Sequence, residues 1–186
     1  MKTIYLIHGW GGSGSGGWFD WLKKELKGKA KVIAFDMPNT DEPEINAWAG
    51  VLEENIKDVD ANTFFVTHSI GCQTVLRFLE KLPKGKKVGG CCFVSGWLTL
   101  KQEVLEEEGE EVVEIARPWM ETPIDFDKVK VHCNNFLVIL SDNDPYVQIS
   151  NRETFEDKLG AKVIVKHNQE HFNMVLKIPE VLGFLG

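Results

Sequence analysis

The stretch Thr63-Phe64-Phe65-Val66-Thr67-His68-Ser69-Ile70-Gly71-Cys72 decides how this chain folds. Thr63–Thr67 is a short β-branched and aromatic run without polar alternation, the pattern of a strand covered on both faces. Beyond the turn, Cys72, Val75, Leu76 and Leu79 recur at the spacing of one helix face. A strand that feeds a helix through so short a turn is half of a parallel βαβ unit.

The same rhythm runs outward in both directions. Further strands are expected at Thr3–His8, Ala30–Phe35, Val88–Val94, Phe136–Ser141 and Lys162–His167. Between them, Trp18, Trp21, Leu22 and Leu26 share a face, as do Ile45, Trp48, Leu52 and Ile56. Phe155 and Leu159 continue the pattern more weakly, and Val181 to Leu185 suggests a last short helix. Repeated strand–helix units imply right-handed crossovers and a parallel sheet with helices on both faces. The expectation is one α/β domain over residues 1–186, a three-layer α/β/α sandwich.

Residues 97–125 break the rhythm as an insertion between the fourth and fifth strands. Within it, Glu103, Glu106, Glu107, Glu108, Glu110, Glu111 and Glu114 occur with no Lys or Arg among them. Removing these seven from 28 acids leaves 21, equal to the 21 bases, so the whole net charge of -7 sits in this stretch. Like charges at that density favour a solvated, mobile segment, either a surface insertion or a cap over a site.

The acidic balance excludes the concentrated Lys and Arg that nucleic acids or anionic membranes require. No apolar run approaches the ~18 residues of a membrane span, and Ile4–Ile7 is too short for a signal-peptide core. Cys72, Cys91, Cys92 and Cys133 show no Cys-x-x-Cys spacing and read as buried thiols of a cytoplasmic protein.

In open parallel sheets ligands bind at the carboxyl ends of the strands, which turns attention to the loops there. Ser69, between strand and helix in a small-x-Ser-x-small setting, has the form of a nucleophile elbow, with Gly71 meeting the size requirement better than Thr67. A serine capping the following helix reads equally well from this pentapeptide alone. Two later strand ends favour the elbow. Ser141-Asp142-Asn143-Asp144-Pro145-Tyr146-Val147 follows the fifth strand, and Asn168-Gln169-Glu170-His171-Phe172-Asn173 follows the sixth. Serine, aspartate and histidine thus occur in the chain order of α/β-hydrolases, each after a different strand. His171 would take the proton of Ser69 and return it to the leaving group, while a carboxylate fixes the imidazole tautomer. Asp144 is preferred to Asp142 because it precedes Pro-Tyr-Val, a turn that re-enters a helix. His167 is the rival base, His8 and His68 read as packing or supporting groups, and His132 as exposed. No pair has metal-site spacing.

After the first strand, Gly9-x-Gly11-x-x-Gly14 formally matches a dinucleotide fingerprint, with Asp36 at the distance of a ribose-binding carboxylate. That motif needs a helix starting within it to face the pyrophosphate, whereas helical periodicity here starts only near Trp18. A Walker lysine is missing as well. In a hydrolase the same turn frees a backbone N–H beside the nucleophile, so the amides of Trp10 and Ile70 would form an oxyanion hole.

Taken together, these residues resemble the retinoblastoma-binding serine hydrolase family, a compact branch of the α/β-hydrolases. The resemblance runs nearly end to end, through Gly17-Trp18, Trp21-Leu22-Lys23-Lys24-Glu25-Leu26, Asp36-Met37-Pro38, His68-Ser69-x-Gly71, Arg117-Pro118-Trp119, Asp144-Pro145 and His171-Phe172. It implies a six-stranded parallel sheet, a triad of Ser69, Asp144 and His171, and no cofactor. The chain departs from the family at Thr67 and at Glu170, where glycines are usual. It also lacks the Leu-x-Cys-x-Glu motif of retinoblastoma-protein binding, so that partner is not carried over. The expected function is hydrolysis of a small-molecule ester or amide through an acyl-enzyme, with Trp97 and Trp119, alongside Trp10 and Met120, lining an apolar acyl pocket. A hydrolase-shaped binding protein without turnover, motivated by Thr67, and a dinucleotide-binding protein are the alternatives.

Overall fold

The computed structural model describes residues 1–107 and 109–186. Its elements in chain order are β1 (Thr3–Ile7), α1 (Gly17–Leu26), β2 (Lys31–Phe35), α2 (Ile45–Asn55), β3 (Thr63–His68), α3 (Gly71–Glu80) and β4 (Gly90–Val94). There follow α4 (Gln102–Glu107), α5 (Glu110–Glu121), α6 (Phe126–His132), β5 (Phe136–Ser141), α7 (Asn151–Leu159), β6 (Lys162–Lys166) and α8 (Pro179–Leu185). The six strands form one sheet in the order β2-β1-β3-β4-β5-β6, and every neighbouring pair is parallel. This is a compact α/β-hydrolase arrangement.

Side chains alternate across the strands and divide the core into two layers. Ile7, Phe65, Phe93 and Val138 face one side and pack with Trp48 of α2, Leu76 of α3 and Phe155 of α7. Leu6, Val66, Cys92 and Ile139 face the other and pack with Trp18 and Leu22 of α1 and Val181 of α8. Both faces of the central strands are therefore covered, which is why they lack polar alternation.

The chain reverses direction across the sheet between β1 and β3. β2 lies on one side of β1 and β3 on the other, so the loops leaving β1 and β3 part at a topological switch point, where open sheets bind ligands. The Gly-rich loop and Ser69 both lie there.

The insertion differs from the solvated, mobile segment expected of it. Residues 102–107 and 110–121 are helical, because a stripe of Val112, Ile115, Ala116 and Trp119 gives α5 an apolar face that offsets the repulsion among its acids. Glu110 and Glu111 occupy the first turn of α5, where the helix dipole favours negative charge. α6, which the sequence reading left unassigned, opens with the Asp125 side chain accepting the Lys128 amide. His132, read as exposed, is buried, with its Nδ1–H donating to the Lys86 carbonyl at 2.7 Å. The four cysteines are free and buried.

Candidate active site

Ser69 leaves β3 with φ 53°, a left-handed conformation that a non-glycine residue adopts at a cost of about 1–2 kcal/mol. The strain persists because the surroundings fix it. The Ser69 amide donates to the Val94 carbonyl at 2.9 Å, and the turn passes at once into α3. Space is the second constraint. A Cβ on Gly71 would sit 2.8 Å from the carbonyl oxygens of both Ile7 and His8, and one on Gly9 would sit 2.7 Å from Ser69 Cβ. Glycine at these two positions lets the first loop, the elbow and α3 meet. Thr67 is accommodated in the sheet between Ile7 and Phe93 and does not prevent the turn.

His171 lies in the loop after β6, between Glu170 at φ 50° and Phe172 at φ 59°. Glu170 thus holds a left-handed position that glycine would occupy without strain. The Nδ1–H of His171 donates to Asp144 Oδ2 at 2.8 Å, and Asp144 Oδ1 accepts the amides of Tyr146 and Val147 at 2.9 and 3.0 Å. Burial pushes the Asp144 carboxyl up, but the His171 contact and the two amides outweigh it and hold the group below its ordinary range. With Nδ1 fixed in this way, the other ring nitrogen of His171 is left for proton transfer.

Asp142 and His167 form a separate, exposed pair. His167 Nδ1–H donates to Asp142, whose carboxyl is lowered first by the Asn168 amide and then by His167. Neither belongs to the Asp144–His171 pair. The other histidines support the site. His68 Nε2–H donates to the His171 carbonyl at 2.7 Å, and its ring centroid lies 4.9 Å from that of His171. Burial first, and the facing His171 second, push the His68 imidazole down to about 3, so it stays neutral. His8 donates to the Gly9 carbonyl and accepts the Met37 amide, which ties the loops after β1 and β2 together.

Ser69, His68, His171, Trp10 and Trp97 open into one cavity of about 380 Å³. Val104 of α4 and Val112 and Ile115 of α5, all from the insertion, line the same cavity. Leu100, Tyr146, Asp41, Glu111 and Asn173 also line it, none of them expected there from the sequence. The spacing of Val112 and Ile115 was a usable signal, whereas Asp41 and Tyr146 arrive through loops that carry none.

Trp119 does not line this cavity. It is buried between the insertion and α2, with its indole N–H on the Pro43 carbonyl at 2.8 Å and its ring 6.0 Å from that of Trp48. The Trp10 and Ile70 amides meet no acceptor among the described residues. Among the same residues Ser69 Oγ has one hydrogen-bond partner, the Trp97 indole N–H at 3.2 Å, and no bond to His171. Catalytic hydrogen bonds are often long or absent before substrate binds. Cys72, the other nucleophile nearby, is pushed up to about 12 by burial and stays a thiol.

Asp36, which the fingerprint reading assigns to a ribose, accepts the Gly14 amide at 2.7 Å and so holds the glycine loop itself. That loop continues to Gly16, the N-cap of α1.

A family model described as serine hydrolase matches residues 4–176. The chain belongs to this serine hydrolase family. The Bacillus subtilis protein YdeN is 28% identical over 172 residues, covering 92% of this chain and 86% of its own. The serine hydrolase RBBP9 of Rattus norvegicus is 23% identical over 167 residues, covering 89% of this chain and 83% of its own. The crystal structure of the B. subtilis YdeN product superposes with a TM-score of 0.87 at 27% identity, covering 100% of this chain and 97% of that one. Est816, described as an N-acyl homoserine lactone degrading enzyme, shares the fold at a TM-score of 0.69 and 17% identity, covering 100% of this chain and 92% of its own. As a member of the family, the protein is an enzyme and a hydrolase.

Proposed function

We propose that the protein hydrolyses a carboxylic ester or amide through an acyl-enzyme on Ser69. The observation that carries this reading is that a strained serine elbow and the histidine of a buried Asp144–His171 pair line the same cavity. His171 takes the Ser69 proton as Oγ attacks the substrate carbonyl, and the Trp10 and Ile70 amides receive the oxyanion, each donor supplying ~3 kcal/mol. Collapse of the intermediate breaks the bond to the leaving group, which takes the proton from His171. Water then attacks the acyl group by the same path in reverse order, and Ser69 is released.

Trp10, Trp97, Leu100, Val104, Val112, Ile115 and Tyr146 supply an apolar wall, and Asp41 and Glu111 beside them disfavour an acyl group with negative charge, which together suit a small, uncharged or apolar acyl group. No helix among the described residues is long and apolar enough to cross a membrane. The acidic balance further favours a small-molecule substrate in the cytoplasm over a nucleic acid or membrane surface. The test is turnover of p-nitrophenyl esters of graded chain length. Short and medium chains are expected to be cleaved, and Ser69→Ala to lower kcat by ~10⁴–10⁶. Failure to cleave any of the series would overturn the acyl preference, and turnover that survives Ser69→Ala would overturn the assignment of the nucleophile.

A further inference from the structure

Resting on the reading above, we infer that the Trp97 indole N–H is part of the catalytic apparatus, holding the Ser69 hydroxyl oxygen and supporting the charge it carries in both half-reactions. The bond itself is the first observation. Trp97 Nε1 donates to Ser69 Oγ at 3.2 Å, and both side chains are buried, which limits competition from water for that donor. A donor aimed at a nucleophile's oxygen lowers the cost of charge on that atom most where water is excluded.

The second observation is how firmly the indole is presented. Ser95, at the end of β4, is fully buried yet has φ 45°, a second strained serine beside the first. The turn it begins is clamped from two sides. Gln73 of α3 donates to the Trp97 carbonyl at 3.2 Å, and Arg77 Nη2 binds Gln73 Oε1 at 3.3 Å and the Thr122 carbonyl at 2.9 Å. On the other side, Asn151 of α7 accepts the amides of Leu98 and Thr99 at 2.7 and 3.1 Å and donates to the Thr99 carbonyl at 2.8 Å. An aromatic residue serving only as cavity lining has no need of its backbone being held by buried polar groups from two helices. A fixed donor direction does.

The chemistry assigns the N–H a role in each step. During acylation the Oγ–carbon bond forms while the Oγ proton passes to His171, and the indole N–H stays on Oγ as electron density moves toward the carbonyl. During deacylation water attacks the acyl carbon and gives its proton to His171, the carbon–Oγ bond breaks, its electron pair returns to Oγ, and His171 passes that proton to it. Oγ is then the leaving group, and a donor already in place favours its departure. Substrate and water are the only reactants required.

The test uses the full-length protein with position 97 occupied by Trp, by Phe, or by benzothienylalanine, which keeps the two-ring shape and replaces the N–H with sulfur. The readouts are the rate of Ser69 labelling by a fluorophosphonate, KM and kcat on one p-nitrophenyl ester, and melting temperature. The inference predicts that both variants label about tenfold to a hundredfold more slowly, since a bond to a charged group is worth that much, with KM of the benzothienyl variant changed less than about twofold. The benzothienyl variant should melt close to the parent. If that variant labels as fast as the parent, Trp97 only fills space and the inference is overturned. If its labelling falls only in step with a raised KM, the residue binds substrate and the inference is again overturned. Should the parent itself fail to label at Ser69, the serine hydrolase mechanism fails and this inference with it, a result distinct from parent labelling that the variants match.

Discussion

Thr67 lies two residues before the nucleophile, at the end of the strand that leads into the elbow. Its side chain is fully buried, and its hydroxyl has no hydrogen-bond partner among the described residues. A buried, unpaired hydroxyl costs about 1–3 kcal/mol of desolvation. Valine has the same shape and the β-branching that suits a strand. Thr67→Val is therefore expected to stabilise the protein by about 1 kcal/mol while leaving ester turnover within about twofold, as measured by urea unfolding and initial rates. A loss of stability would mean that the hydroxyl has a partner in solution. The residue scale also shows what local sequence conveys. Ser69, Asp144 and His171 stood out because each follows a strand in a set order. The Pro-Tyr-Val after Asp144 favours it over Asp142, and its amide contacts and its reach to His171, which joins loops 27 residues apart, separate the two in the structure. The Ser69–Trp97 bond spans 28 residues and left no trace in either segment.

Among the elements, the two helices of the insertion are strongly acidic and differ in how they bear it. Glu110 and Glu111 open α5, where the dipole favours them, whereas Glu106 and Glu107 close α4, where it does not. α5 also buries Ala116 and Trp119, whereas α4 buries no residue. Amide hydrogen exchange should therefore be faster across residues 102–107 than across 110–121, and 1 M salt should narrow the gap by screening the acids. Equal protection of both would contradict this account of the insertion. The helices within 97–125 were hidden because seven glutamates read as solvated chain, although glutamate is itself a good helix former. The apolar stripe at Val112, Ile115, Ala116 and Trp119 was the countervailing signal. Burial of His132 was not legible, since its partner is a carbonyl 46 residues away.

At the scale of the whole molecule, acid should act through His68. Its half-buried imidazole is pushed down to about 3 when folded, against 6.5 for the ordinary group, chiefly by desolvation. The unfolded chain thus takes up this proton first, and stability is full above pH 6.5 and lost as the pH falls from there toward 3. His8, also lowered chiefly by burial, acts in the same direction. The Asp144 contribution is present above the ordinary carboxylate value and is lost only as the pH falls through its lower folded value. His68 faces His171, Asp144 and His8, and the lowering by the histidines opposes the raising by the carboxylate. Between pH 6.5 and 4.5, His68→Gln should flatten the fall in unfolding free energy by up to about 1.4 kcal/mol per pH unit. An unchanged slope would assign the acid sensitivity elsewhere. The six strands and their parallel order were readable from one βα unit extended in both directions, because strands covered on both faces are uniformly apolar. Which loops met above the sheet depended on the switch point between β1 and β3, a property of the assembled sheet.

The account turns on a covalent bond to one oxygen. Mixing the protein with a short-chain p-nitrophenyl ester, quenching in acid within the first turnover and sequencing the peptides by mass spectrometry would reveal that bond directly. The account predicts one acyl adduct, on Ser69, absent from Ser69→Ala and strongly reduced in His171→Ala. An adduct on any other residue, or ester cleavage with no adduct formed by the time product appears, would contradict it.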